Sequence, residues 1–183
     1  LTKLLLHQNK SVGQIPDSIS KLKMLSLLDL HGNKLNASIP RSMEQLNQLL
    51  VLDLSHNQIT GSIHRDVIAR FKDMQIYLNL SYNQLVVNVP TELGMLEMIQ
   101  AIDISNNNLP GLIPKTLAGC RNLFNLDFSG NNISGPIPAE AFSHIDLLES
   151  LNLSRNHLKG EIPEILAELD RLSSLEGLEG NYS

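Results

Sequence analysis

Six residues recur at one beat of this chain: Asp29, Asp53, Asn79, Asp103, Asp127 and Asn152, each set between two apolar residues. If the segments carrying them lie side by side as strands, Asp103 and Asp127 fall about 5 Å apart, the carboxyl separation that retaining glycosidases use. That chemistry also needs a cleft that raises one carboxyl pKa, and an open sheet face stays wet. The column therefore reads as a solvated acidic stripe that recurs because its segment recurs. His7 and His31 share a register, and His56 lies one position further on in its own unit. A metal site needs three or four converging ligands, and this spacing brings two together, so no metal is expected. Ser55, Ser81, Ser105, Ser129 and Ser154 follow the same beat as strand-exit residues rather than nucleophiles. The single cysteine, Cys120, occupies the slot filled elsewhere by Leu22, Leu46, Leu96 and Leu169. It reads as a buried apolar thiol. No Ser-His-Asp order, glycine-rich phosphate loop or paired-cysteine spacing is present, so neither catalysis nor a cofactor is expected.

What must position these residues is a repeat. The grammar Leu-x-Leu-x-x-Asn-x-Leu-x-Gly-x-Ile is clearest from Leu52 to Ile63, with Ile59 in the second Leu slot, and returns around Asn9, Asn33, Asn57, Asn83, Asn107, Asn131 and Asn156. These asparagines are 24, 24, 26, 24, 24 and 25 residues apart. A period in the twenties with this leucine pattern marks a solenoid of stacked coils. One coil is too small to bury its own apolar face, so neighbours must share a core. The expected fold is an α/β solenoid: a right-handed superhelix with a parallel β-sheet on its concave side and short 3₁₀ or α turns on its convex side.

Within a coil, alternation along a short strand turns Leu52 and Leu54 inward and Val51, Asp53 and Ser55 outward. The following Asn carries two amide donors and an acceptor, enough to satisfy backbone groups that the turn removes from the ladder. Glycine comes four residues later at Gly13, Gly61, Gly111, Gly135 and Gly160, where a positive φ suits it; Ala37 and Val87 depart from this. Pro16, Pro40, Pro90, Pro114, Pro138 and Pro163 close the extended segment, with His64 in their place in the third unit. Insertions near Val67–Phe71 and Ala141–Phe142 predict a fuller helical turn on the convex side. The array is read as seven units over residues 1–175, followed by a divergent tail over 176–183. Leu4 and Leu6 face an open edge in this reading, and the sequence reads as a piece of a longer array.

Composition narrows the function. Net charge is −5 with 18% charged residues, which argues against a nucleic-acid partner needing a basic stripe. No apolar run is long enough to span a bilayer. Aromatic residues make up only 4% of the chain, so the core must be aliphatic. Against the fixed scaffold, the outward positions vary, which is how a solenoid displays a recognition surface. The candidate partner-binding residues on the concave face are His31, Asp53, His56, Tyr77, Tyr82, Asp103, Asp127 and Arg155. Tyr77 and Tyr82 bring the largest area at low entropic cost. Asn-x-Ser sequons at Asn36, Asn79, Asn132 and Asn152 are candidate glycan acceptors; Asn9 has one too but should be buried in the ladder.

The unit Leu-x-x-Leu-x-Leu-x-x-Asn-x-Leu-x-Gly-x-Ile-Pro resembles the plant-specific class of leucine-rich repeats found in receptor-like kinases, receptor-like proteins and secreted polygalacturonase inhibitors. The runs Leu28–Asn36, Leu78–Asn83, Pro114–Leu123 and Ile137–His144 are similar to the C-terminal repeats of the ectodomains of plant flagellin-sensing receptor kinases. The resemblance implies an extracellular recognition module whose parent protein is anchored in the plasma membrane. It implies a protein or peptide ligand on the concave side and a co-receptor kinase ectodomain as partner. A free-standing secreted repeat protein, either a polygalacturonase inhibitor or an ice-binding protein, is the alternative.

Overall fold

Residues 1–176 are described by the structure, a computed structural model. The repeat builds one eight-stranded parallel sheet whose strands follow chain order: Lys3–Leu5, Leu27–Asp29, Val51–Asp53, Tyr77–Asn79, Ala101–Asp103, Asn125–Asp127, Ser150–Asn152 and Ser174–Glu176. Register is maintained from strand to strand. Leu4, Leu28, Leu52, Leu78, Ile102, Leu126, Leu151 and Leu175 form one row across the sheet. From Leu28 to Leu151 this row is buried, and it packs with a second row from Leu30 to Leu153. The core is a continuous aliphatic ladder with Phe71, Phe128 and Phe142 set into it.

The ladder asparagines bind neighbouring coils together. The Asn57 Nδ2 donates to the carbonyls of Leu54 and Ser55 in its own coil and of Leu30 in the preceding one, at 3.0–3.1 Å. Its Oδ1 accepts the Leu35 backbone N–H at 3.0 Å. Asn83, Asn107 and Asn131 repeat this set. Every member from Asn33 to Asn156 is buried. Asn9 differs from the expectation: it is exposed, and its amide reaches only Leu6 and His7 of its own coil. No coil lies on its other side among the described residues, and Leu6 is 46% exposed for the same reason.

After the asparagine turn, short secondary strands pair between some coils, as at Val12–Gly13 with Lys34–Leu35 and Thr60–Gly61 with Gln84–Leu85. Gly61 has φ +77°, and Ala37 adopts the same left-handed backbone at φ +63°. The convex side carries 3₁₀ turns such as Arg41–Gln45, Thr91–Met95 and Lys115–Gly119. Each follows an extended proline; His64 takes that geometry at φ −64°, ψ 119°. The two longer units form α-helical turns at Arg65–Arg70 and Ala139–Phe142. The sheet holds one strand more than the seven-unit reading allowed. Glu176 pairs with Asn152 at its edge, because Leu175 falls in the apolar row. The rest of the expected tail, residues 177–183, lies outside the described residues. No described helix is long and apolar enough to cross a membrane.

Candidate recognition surface

The concave face is built from two outward-facing rows of the main sheet and the strand exits beyond them. One row is Leu27, Val51, Tyr77, Ala101, Asn125 and Ser150; the next is Asp29, Asp53, Asn79, Asp103, Asp127 and Asn152. The second row is less wet than the sequence implies. Its carboxylates are half-buried, and each uses Oδ1 to cap the strand exit two residues on. The Asp53 Oδ1 accepts the Ser55 backbone N–H at 2.9 Å and the Ser55 hydroxyl at 2.7 Å. Asp103 and Asp127 accept the backbone N–H groups of Ser105 and Ser129 at 2.9 and 2.8 Å. Asn79 and Asn152 do the same with neutral amides, at 3.0 and 3.1 Å. Ser55, Ser81, Ser105 and Ser129, expected to point outward, are buried, because capping draws them under the row before them.

Burial, more than the spacing of the acids, sets the electrostatics of this row. Burial, opposed by the Ser105 bonds, raises the Asp103 pKa above its ordinary value, and the Asp127 charge adds to the rise. Burial, followed by the charges of Asp103 and Asp53, pushes the Tyr77 phenol far above its usual range. Among the described residues, Asp53, Asp103 and Asp127 have no cationic side chain within ion-pair distance. The two rows therefore form an anionic, partly desolvated surface bearing the Tyr77 phenol. Beside it lies an open hollow of about 480 Å³, lined by Val51, Ile76, Tyr77, Gln100, Ala101, Phe124, Asn125 and Glu149. Ile76, Phe124 and Glu149 precede the strands and were not singled out by sequence; the signal for them is their common position before each exposed row.

At the strand exits the backbone turns left-handed just before each ladder asparagine. His56, Tyr82 and Asn106 have φ +52° and Arg155 +53°; Gly32 and Gly130 fill the same slot. That turn projects the side chains outward. The His56 and Tyr82 rings stack with centroids 4.3 Å apart and planes 10° apart. His7 and His31 stack likewise, at 4.7 Å and 5°. The structure also revises the ligand count for the histidines: Asp29 joins them, its Oδ1 2.7 Å from the His31 Nδ1, so three ligand-bearing residues converge where two were expected. The third was missed because Asp29 was read only as part of the acidic column.

The remaining candidates are dispersed. Arg155 is exposed at the far end of the face from His31. Cys120 is fully buried, its Sγ donates to the Leu93 carbonyl at 3.1 Å, and burial pushes its thiol up to about 12. Asn36 and Asn132 are exposed. Asn152 is half-buried with its amide on Asp127. Asn79 is 8% exposed, with its amide oxygen held by Ser81 and its amide nitrogen directed at the Asp53 carboxylate 3.4 Å away.

A rigid aliphatic ladder that presents a non-repeating polar face is a solenoid recognition scaffold. The chain belongs to the leucine-rich-repeat family, whose model matches residues 1–59 and 98–158. Its fold is that of plant receptor-kinase ectodomains. It superposes on the Arabidopsis receptor kinase HAESA, solved with the peptide hormone IDA and the co-receptor SERK1, with TM-score 0.91 and 36% identity over 97% of this chain and 29% of that one. The ectodomain of the Arabidopsis receptor kinase SOBIR1 matches at TM-score 0.66 and 32% identity over 71% of this chain and 70% of that one. A plant ice-binding protein matches at TM-score 0.85 and 30% identity over 97% and 56%. This chain spans less than a third of HAESA. No curated protein matches it.

Proposed function

We propose that this chain is a non-catalytic recognition segment of a plant receptor-kinase ectodomain. It lies on the outer side of the plasma membrane and engages a peptide or protein ligand and a co-receptor ectodomain through its concave face. The observation that carries this reading is the contrast within each coil: the buried rows repeat, whereas the exposed row runs Val51, Tyr77, Ala101, Asn125. Packing constrains the first, so the variety of the second is free to serve binding. The likeness to HAESA, which is seen with both a peptide hormone and a co-receptor, supports the same pair of partner classes here.

The finer reading is flagellin perception, with these repeats serving as co-receptor docking or scaffold. It rests on the sequence runs that resemble flagellin-sensing receptors. His31, Asp53, His56, Tyr77, Tyr82, Asp103, Asp127 and Arg155 are the proposed contact residues, with the stacked Tyr82–His56 pair at their centre. Binding of the purified chain to the co-receptor ectodomain, measured with and without a flagellin-derived peptide, tests this. Peptide-dependent binding that Tyr82→Ala weakens at least tenfold is the expected result. Binding unaltered by Tyr82→Ala and by Tyr77→Ala would remove the concave face from the interface. Freezing-point hysteresis without co-receptor binding would favour the secreted ice-binding alternative, for which the solved relative is the support.

A further inference from the structure

We propose that His7, Asp29 and His31 form a binding site for a borderline transition-metal ion of the Zn²⁺, Ni²⁺ or Cu²⁺ class, joining the first coil to the second. One ligand atom from each residue lies within 4.8 Å of the others. The two histidines sit opposite one another on adjacent parallel segments, because the Gln8 backbone N–H bonds to the His31 carbonyl at 2.8 Å. Their rings are already parallel and in contact. Two imidazoles and a carboxylate, with water at the remaining position, is a donor set typical of open zinc sites.

The site is partly organised in advance. The Asp29 Oδ1 accepts the His31 backbone N–H at 3.1 Å, which fixes the carboxylate, and lies 2.7 Å from the His31 Nδ1. That short contact already pairs a nitrogen and an oxygen that both favour a borderline metal ion. Metal–ligand bonds of about 2.0–2.1 Å at a tetrahedral angle set donor atoms about 3.3 Å apart, so the 2.7 Å Asp29–His31 contact must open slightly as the ion enters. The exposed His7 ring closes on the ion by tilting, while the half-buried His31 and Asp29 part only by the few tenths of an ångström that admit it. Hard ions are excluded by chemistry: Mg²⁺ and Ca²⁺ prefer an oxygen shell, and this site offers one carboxylate.

Binding would bridge Leu5–Gln8 to the second coil at the edge where Leu5 and Leu6 are 54% and 46% exposed. A ligand that binds only the folded form protects it, so the first coil should exchange its amide hydrogens more slowly when loaded.

Isothermal titration of the purified chain with Zn²⁺, Ni²⁺ and Mg²⁺ alone tests the site, with Cu²⁺ electron paramagnetic resonance to count the bound nitrogens. One equivalent of Zn²⁺ or Ni²⁺ should bind, with no measurable Mg²⁺ binding and two imidazole nitrogens on Cu²⁺. His7→Ala and His31→Ala should each weaken binding at least tenfold, and Asp29→Asn should weaken it by a similar factor. His144→Ala, on the convex side, should leave it unchanged. Undiminished affinity in either His7→Ala or His31→Ala, or Mg²⁺ binding as well as Zn²⁺, would overturn the assignment. None of the three side chains belongs to the apolar core, and circular dichroism of each variant confirms that a loss of binding is not a loss of fold.

Discussion

The Asn107 side chain closes a bond that the Leu85 backbone could not otherwise make: its Oδ1 accepts the Leu85 N–H at 3.0 Å, one coil away. Its Nδ2 is shared among the carbonyls of Leu80, Ile104 and Ser105. Asn107→Leu should therefore cost roughly 2–4 kcal/mol, since buried backbone groups left without partners cost about 1–3 kcal/mol each. Asn107→Asp should cost at least as much, because it keeps the acceptor, loses the donors and buries a charge. Urea denaturation of both variants checks this; a loss below about 1 kcal/mol in both would show the ladder to be dispensable.

Gly94 and Gly119 face each other across the fourth and fifth convex turns. A Cβ on Gly94 would lie 2.0 Å from the Thr116 carbonyl oxygen, and one on Gly119 2.1 Å from the Gly94 carbonyl oxygen. Backbone is the obstacle in both cases, so no side chain can swing aside. Gly94→Ala should lower stability by about 1–3 kcal/mol by forcing the two turns apart. At Gly13, where a Cβ meets nothing within 4 Å, the cost of alanine comes from its positive φ alone. Thermal melts of the two variants should rank Gly94→Ala as the more damaging.

Asp103 is held in a folded environment that favours its protonated form, through burial first and the Asp127 charge in addition. A raised pKa in the folded state means that folding takes up protons as the group titrates. Its contribution to stability is present at low pH and is lost as the pH rises through the raised value. Asp103→Asn removes that loss while keeping the cap on Ser105, as Asn79 already does on Ser81. The variant should be more stable than the parent at pH 7, and the gap should close as the pH falls below the ordinary carboxylate range. Denaturation at pH 7 and pH 3 measures both points. A variant less stable at pH 7 would mean that the carboxylate is worth more than its desolvation costs.

Glycan occupancy should follow exposure among the sequons. In a chain expressed through the plant secretory pathway, Asn36 and Asn132 should carry glycans and the buried Asn79 should not. Glycopeptide mass spectrometry reads each site separately. Occupied Asn79 would require the third and fourth coils to differ from the packing described here.

The sequence by itself determined the solenoid. Seven asparagines near a 24-residue spacing, with apolar residues three and five positions ahead of them, leave one way to bury the apolar face, and the inward row from Leu28 to Leu151 follows from alternation alone. The prolines and the two helical insertions were legible for the same reason, because each acts through its own backbone. Tertiary structure decided whatever depends on what the next coil brings alongside. Period alone does not show that Tyr82 rests on His56, or that Gly94 must lack a side chain to pass Thr116. Nor could it show that Asn9 would lie open while Asn33, in the same slot, is buried. A repeat specifies its own coil through local dihedrals and apolar spacing. Its exposed chemistry is specified by pairs, and those pairs exist only once the coils are stacked.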